Sequence, residues 1–331
     1  MAEQSTTSEI PIAPSNACYE VRAVKGKGYG CIAAQEIPKG TRILADDPLV
    51  AVPTADYFKC DIQKAFDELS PEQQQLYFTL HSGHGQDPKA WPSGIHPSVG
   101  GRDRQRIEEQ HDARTGQSAT LVSIFQTNCM MMDKGAAVFP NAARFNHSCN
   151  PNASFSWNPT IGKQTIHAMR KIMMGEEITL SYCDITHDKA MRSLELKHYG
   201  FTCDCQACTG DEDDESTFAH QSAKRRSQIR QLEQETHLLR GANLGQGAAT
   251  AGFIQQLLQL CVLHQEEGDS AVKLAIICLE IALVCEMHGD WKMGKLAAAK
   301  AIQVKQDCQG RDFPDLQKYI EVYRRIAAKP G

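Results

Sequence analysis

Three thiols, Cys203, Cys205 and Cys208, stand within the six residues of CDCQAC (203–208). A structural zinc ion takes four ligands in a tetrahedral array, and a CxCxxC turn supplies three of them. The fourth has to arrive from elsewhere, so the fold must bring a distant part of the chain against this turn. Cys149, Cys183, His147 and His198 are the candidates, and spacing alone does not choose among them. Were Cys149 the ligand, the metal would tie the cluster to a loop more than fifty residues upstream and build a pocket between them. That loop, RFNHSCNPN (144–152), gathers amide, imidazole and thiol groups directly before a strand-like run, ASFSW. Nine residues with so few apolar side chains cannot stabilise themselves by burial, and a loop of this composition is a candidate binding site.

The remainder is ordinary for a soluble protein. A length of 331 residues allows one large or two modest domains, each with a real core. Hydrophobic residues at 41% and charged residues at 23% exclude a fibrous or wholly disordered chain. The net charge of -5 offers no general basic field for a phosphate backbone, so no direct nucleic-acid binding is expected. The most apolar helical stretch, 271–285, is interrupted by Lys273 and Glu280, and no membrane span is expected. Residues 1–17 hold Ser, Thr and Pro without a basic region before an apolar core, and read as a disordered tail rather than a secretory signal. The thirteen cysteines are then read as reduced thiols of an intracellular protein, resident in nucleus or cytoplasm. Cys31, Cys129, Cys261, Cys278 and Cys285 lie in apolar patterns where a thiol acts as a small hydrophobe.

The first segment is β-rich, with runs at 19–24, 29–34 and 41–53 separated by glycine-bearing turns. From 57 to 133 the spacing becomes helical, with Phe66, Leu69 and Leu76 on one side and Leu121, Ile124 and Phe125 later, broken by Pro and Gly near 83–101. Strands return at 154–157, 164–169 and 177–182. A short helical piece, 187–200, leads into the cysteine cluster, and the acidic run DEDDE (211–215) marks a linker. Beyond it helices are expected at 217–240, 249–267, 271–288, 290–308 and 312–328. The small-residue spacing of 289–304 is that of a tetratricopeptide-like helix hairpin; a bundle of unrelated amphipathic helices accounts for it equally well.

Other motifs are ambiguous on their own. GKGYG (26–30) lies between two expected strands, where glycine lets backbone approach a ligand or simply makes a hairpin turn. Tyr182 closes a strand, where an aromatic ordinarily packs on its neighbours. Glu176 and Glu177 are adjacent on a strand and point to opposite faces, which argues against a joint acid–base device and for a turn with an outward salt-bridging charge.

In their order, GKGYG, RFNHSCNPN, GEEITLSY and YGFTCDCQAC resemble the SET-domain protein lysine methyltransferases over residues 18–210, and most of all the SMYD group and its fungal relatives. The resemblance implies an α+β protein. Residues 18–200 would form a SET β-fold with a helical insertion at 57–133, its RFNHSC and EITLSY segments knotted together. A post-SET zinc segment (201–210), a linker (211–216) and an all-α TPR-like domain (217–331) would follow. It implies S-adenosylmethionine and zinc as cofactors and a lysine-bearing protein, histone or otherwise, as substrate, with the enzyme acting as a monomer.

By the same match Lys27, Gly28 and Gly30 would contact the methionine part of the cofactor. Asn146 and His147 would bind its amino-acid and adenine regions, Asn128 would assist, and Phe201 would pack on adenine. Tyr199 would line the substrate-lysine channel, and Cys149 would complete the zinc site with Cys203, Cys205 and Cys208. Tyr182 would be the catalytic residue, its hydroxyl orienting the amine or the transferring methyl. One departure is plain: the SMYD group carries a MYND zinc finger between its early strands, and here the chain passes from Val52 into helix without a Cys/His array. The alternative reading is a non-catalytic SET scaffold that acts as a protein-interaction module.

Overall fold

Strand β1 (Tyr19–Val24) turns through Gly26 and Gly28 into β2 (Gly28–Ala33), pairing antiparallel from Tyr19 opposite Ala33 to Val24 opposite Gly28. Both glycines have positive φ, 77° and 71°, a backbone that side-chain-bearing residues rarely adopt. This computed structural model describes residues 13–15, 17–91, 94–243, 250–268 and 271–329, so most of the expected tail over 1–17 lies outside the described residues.

The run expected at 41–53 divides into β3 (Arg42–Asp46) and β4 (Val50–Val52), which join different sheets. Pro48, which has no N–H for a ladder, stands at the break. The helical insertion follows as α1 (Lys59–Asp67), α2 (Pro71–Phe78), α3 (Gly101–Thr115) and α4 (Leu121–Asn128). It ends sooner than the expected 133, because 129–132 form β5 (Cys129–Met132), paired with β6 (Gly135–Val138). The glycine and alanines of β6 carry little strand propensity, and that strand was not expected. Ser70 caps α2 through the backbone N–H of Gln73 and Pro71 opens it, so the helical period restarts there. In consequence Tyr77, not Leu76, faces the core: Leu76 is 39% exposed and Tyr77 fully buried.

Strands β7 (Ala153–Asn158) and β8 (Lys163–Ala168) match expectation, whereas β9 (Glu177–Ile178) keeps two residues of EITLSY. The rest of that segment bonds the 146–152 loop instead: Leu180 N–H donates to the Asn146 carbonyl, Ser148 N–H to the Leu180 carbonyl, and Ala153 N–H to the Thr179 carbonyl. The three sheets run β1-β2-β9, β3-β8-β7 and β4-β6-β5. Between them Cys31, Phe139, Phe145, Ile166, Ile178 and Leu180 form a fully buried core.

After α5 (Lys189–Leu196) and the short α6 (Gln206–Thr209) the chain is helical: α7 (Phe218–Asn243), α8 (Thr250–Glu266), α9 (Val272–His288), α10 (Trp291–Gln309) and α11 (Leu316–Ala327). Gly294 lets α9 and α10 close up, since a Cβ there would lie 3.2 Å from the Cys285 Cβ. The end of α10 docks on β7, with the Ser154 hydroxyl donating to the Cys308 carbonyl and the Gln309 amide to the Ser156 hydroxyl.

Candidate active site

The polar loop 144–152 is fixed by turning its side chains inward. The Asn146 amide nitrogen donates to the Tyr29 carbonyl at 3.1 Å and to Glu177 Oε1 at 2.8 Å. Gly30 makes this possible: a Cβ there would sit 2.6 Å from Asn146 Nδ2 and 2.7 Å from Glu177 Oε1. The last glycine of GKGYG thus admits a protein side chain, whereas a Cβ on Gly28 would meet nothing within 4 Å.

Glu176 and Glu177 do diverge. Glu176 accepts from Arg170, Asn152 and the Met173 N–H at the turn, as a turn residue would. Glu177 makes the salt bridge expected of it, with Lys27 Nζ at 3.5 Å, but is only 20% exposed and turns its other oxygen to Asn146. Burial depresses the Lys27 pKa, but Glu177 and Asp204 outweigh it, and the net shift is upward.

His147 is committed at both ring nitrogens. Its Nδ1 accepts the Tyr182 N–H at 3.0 Å and therefore carries no proton, which leaves Nε2 to bear the hydrogen 3.2 Å from Cys149 Sγ. What His147 can offer a ligand is its ring face and backbone. The Tyr182 hydroxyl donates to the Phe145 carbonyl at 2.5 Å, and burial holds its pKa well above the usual phenol value. The Tyr182 ring centroid lies 4.8 Å from that of Tyr199, 5.3 Å from His147 and 6.4 Å from Phe201. Burial also pushes Tyr199 up, to about 12, so both phenols stay neutral. Asn128 spends its amide hydrogens on the carbonyls of His81 and Ile124, both at 2.7 Å, and its own oxygen has no partner among the described residues.

These groups surround one cavity of about 1030 Å³. Lys27, Gly28, Asn128, Asn146, His147, Tyr182, Tyr199, Phe201 and Cys203 all line it; Gly30 acts from behind through Asn146. Sequence reasoning did not single out Met131, Arg144 or Trp157, which share the wall. Arg144 is held there by the carbonyl and hydroxyl of Thr79, a partner sixty-five residues away that no local pattern announces.

The sulfur atoms of Cys149, Cys203, Cys205 and Cys208 lie within 4.8 Å of one another, a group that could hold a metal ion. His147, Cys149 and Cys183 form a second, overlapping group, whereas His198 packs on Trp91 at 5.1 Å and belongs to neither. Arg192, also unforeseen, is 3% exposed and donates to Cys208 Sγ at 3.6 Å, placing a positive charge against a set of thiols that a metal would hold as thiolates.

Residues 28–183 match the family model described as the SET domain. The histone-lysine N-methyltransferase set5 of Schizosaccharomyces pombe is 27% identical over 320 residues, covering 95% of this chain and 86% of that protein. A putative SET domain-containing protein, L678, of Acanthamoeba polyphaga mimivirus is 26% identical over 197 residues, covering 57% and 76% respectively. The N-lysine methyltransferase SMYD2 of Homo sapiens is 30% identical over 192 residues, 52% of this chain; the chain spans only 43% of that relative's length.

Proposed function

We propose that the protein, whose residues 28–183 match the SET-domain model, is an S-adenosylmethionine-dependent protein-lysine N-methyltransferase. The observation that carries this is the single cavity between the Gly28 turn, Asn146, His147 and the aromatic rings of Tyr182, Tyr199 and Phe201. Relatives with methyltransferase names support it.

S-adenosylmethionine supplies an electrophilic methyl group on a sulfonium. The open backbone at Gly28, with Lys27, would hold its methionine part; the Asn128 oxygen, Asn146 and the His147 ring and backbone would hold the remainder. Phe201, 39% exposed for so large an apolar side chain, offers a face for adenine.

Methyl transfer needs an in-line approach and a neutral amine. A free lysine near pKa ~10.4 costs about 4 to 5 kcal/mol to hold neutral at pH 7. Apolar walls from Tyr182 and Tyr199 reduce that cost by disfavouring ammonium. The Tyr182 hydroxyl has spent its proton on Phe145, so toward a substrate it can only accept; it orients the amine through an N–H and does not act as a base.

The thiol group suits zinc. Tetrahedral Zn–S bonds near 2.3 Å set sulfur–sulfur separations of about 3.8 Å, and Cys149 lies 3.9 Å from Cys203 and 3.5 Å from Cys208. On this reading 18–200 is the catalytic domain with the 146–152 and 177–182 segments threaded as a knot, 201–210 its zinc segment, 211–216 a linker and 217–331 a TPR-like helical domain. The substrate is a lysine-bearing protein met inside the cell, and the enzyme works as a monomer. Among the described residues no helix is long and apolar enough to cross a membrane.

The test is transfer of labelled methyl from S-adenosylmethionine to a mixture of histones and other proteins, with mass spectrometry of the labelled residue. Methyl-lysine is expected. Binding of S-adenosylhomocysteine with no label transferred would favour the scaffold reading instead.

A further inference from the structure

The loop that carries Asn146, His147 and Cys149 is gripped from behind by the C-terminal helices. Arg226, on α7, is 0% exposed. Its Nη2 donates to the Cys149 carbonyl at 2.7 Å and its Nε to Glu267 Oε1 at 2.9 Å. Glu267, one residue past α8, also accepts from the Ser222 hydroxyl at 2.5 Å and from Arg225 Nε at 2.8 Å. Its backbone carbonyl accepts the Asn150 amide at 2.6 Å. Two helices therefore reach two successive residues of one loop.

Stability alone is a weak account of burying this ion pair. Removing a guanidinium and a carboxylate from water costs several kcal/mol per ion, and apolar replacements of such pairs are often neutral or stabilising. An apolar pair could not, however, supply a donor to the carbonyl of Cys149. That residue follows His147 by two and offers its sulfur to the thiol group, so its backbone belongs to the segment that presents both.

We propose that Arg226, held in place by Glu267, is a positioning residue for methyl transfer: it fixes the 146–150 loop in its cofactor-binding form and makes the C-terminal helices an integral part of the active site. The inference rests on the methyltransferase reading for its purpose. The coupling itself is read from the loop.

The test compares wild type with the double variant Arg226→Met, Glu267→Gln. The amide introduced at 267 can accept from Arg225 Nε through its oxygen and donate to the Ser222 hydroxyl through its nitrogen; Arg225, 14% exposed, keeps that hydrogen bond and its place over the Phe218 ring but loses its counter-charge. Hydrogen exchange at the amides of 146–150 should rise while β1, β2 and α9 keep wild-type protection, and Tm should stay within about 3 °C. S-adenosylhomocysteine should bind about tenfold more weakly, because the competent loop is less populated. Arg226→Lys is the second variant and decides the question if the first does not fold: one ammonium cannot replace the fork that serves Glu267 and Cys149 together, so the same loosening is expected. Wild-type exchange and affinity in a folded variant would overturn the proposal, as would a rise in exchange spread evenly over the whole protein. Wild type that binds no S-adenosylhomocysteine would sink the functional reading, and the exchange at 146–150 would still decide this one.

Discussion

The backbone N–H of Tyr182 donates to Nδ1 of His147 at 3.0 Å, joining residues thirty-five positions apart. That bond selects the imidazole tautomer, and the tautomer sends the remaining ring hydrogen toward Cys149 Sγ. The aromatic wall, the polar loop and the thiol group are thus one bonded unit, and a change in one is felt in the others.

Tyr182→Phe removes the hydroxyl while leaving the ring tilted against Tyr199. The Phe145 carbonyl loses its donor and the substrate amine loses an acceptor. Turnover should fall at least about tenfold, as expected for one lost orienting hydrogen bond. S-adenosylhomocysteine affinity should change less than about threefold by calorimetry; equal turnover in both proteins would remove Tyr182 from the mechanism.

Cys203→Ser takes one thiol from the group around Cys149. If zinc holds this segment against the loop, the variant should be purified with little zinc by elemental analysis. It should also lose cofactor affinity, because Cys203 and nearby Phe201 both line the cavity. Normal cofactor binding in a zinc-free variant would break the link between the two.

Gly30→Ala places a methyl group 2.6 Å from Asn146 Nδ2. Either Asn146 swings away from Glu177 or β2 shifts, with an expected loss of about 1 to 3 kcal/mol in urea unfolding. Cofactor affinity should drop with it. Gly28→Ala meets no neighbour, and its cost should come from the positive φ alone.

His167, 1% exposed between the second sheet and the C-terminal helices, accepts from Arg42 Nε at 3.2 Å. Burial, aided by Arg42, lowers its pKa from 6.5 to about 4. The folded state therefore binds the proton more weakly than the unfolded chain. The associated stability is fully present above about pH 6.5 and is lost as pH falls toward 4, up to about 3 kcal/mol. Unfolding free energies measured from pH 7 to 4 should show this acid slope, and His167→Gln should flatten it; an unchanged slope would assign the acid sensitivity to other groups.

Local chemistry in the sequence determined a good deal. CDCQAC announced a turn of clustered thiols, GKGYG a hairpin turn, and the five C-terminal helices stood where they were expected, with ends shifted by a few residues. Each of these depends on residues within a few positions of one another, which is the range over which a sequence pattern carries physical information. What lay beyond that range was decided by the tertiary structure alone. Spacing left four candidates for the fourth ligand, and convergence of two segments put the Cys149 sulfur among the other three. EITLSY read as one strand, yet its second half bonds the 146–152 loop, because backbone groups there find partners on a segment that no local pattern could bring near. Glu177 read as a salt-bridging charge, but only the fold named its partners, Lys27 and Asn146. Nothing in the local sequence around Arg226 marks it, and only the packing of α7 behind the loop buries it against Cys149, because burial and partnership are properties of chain segments meeting in space.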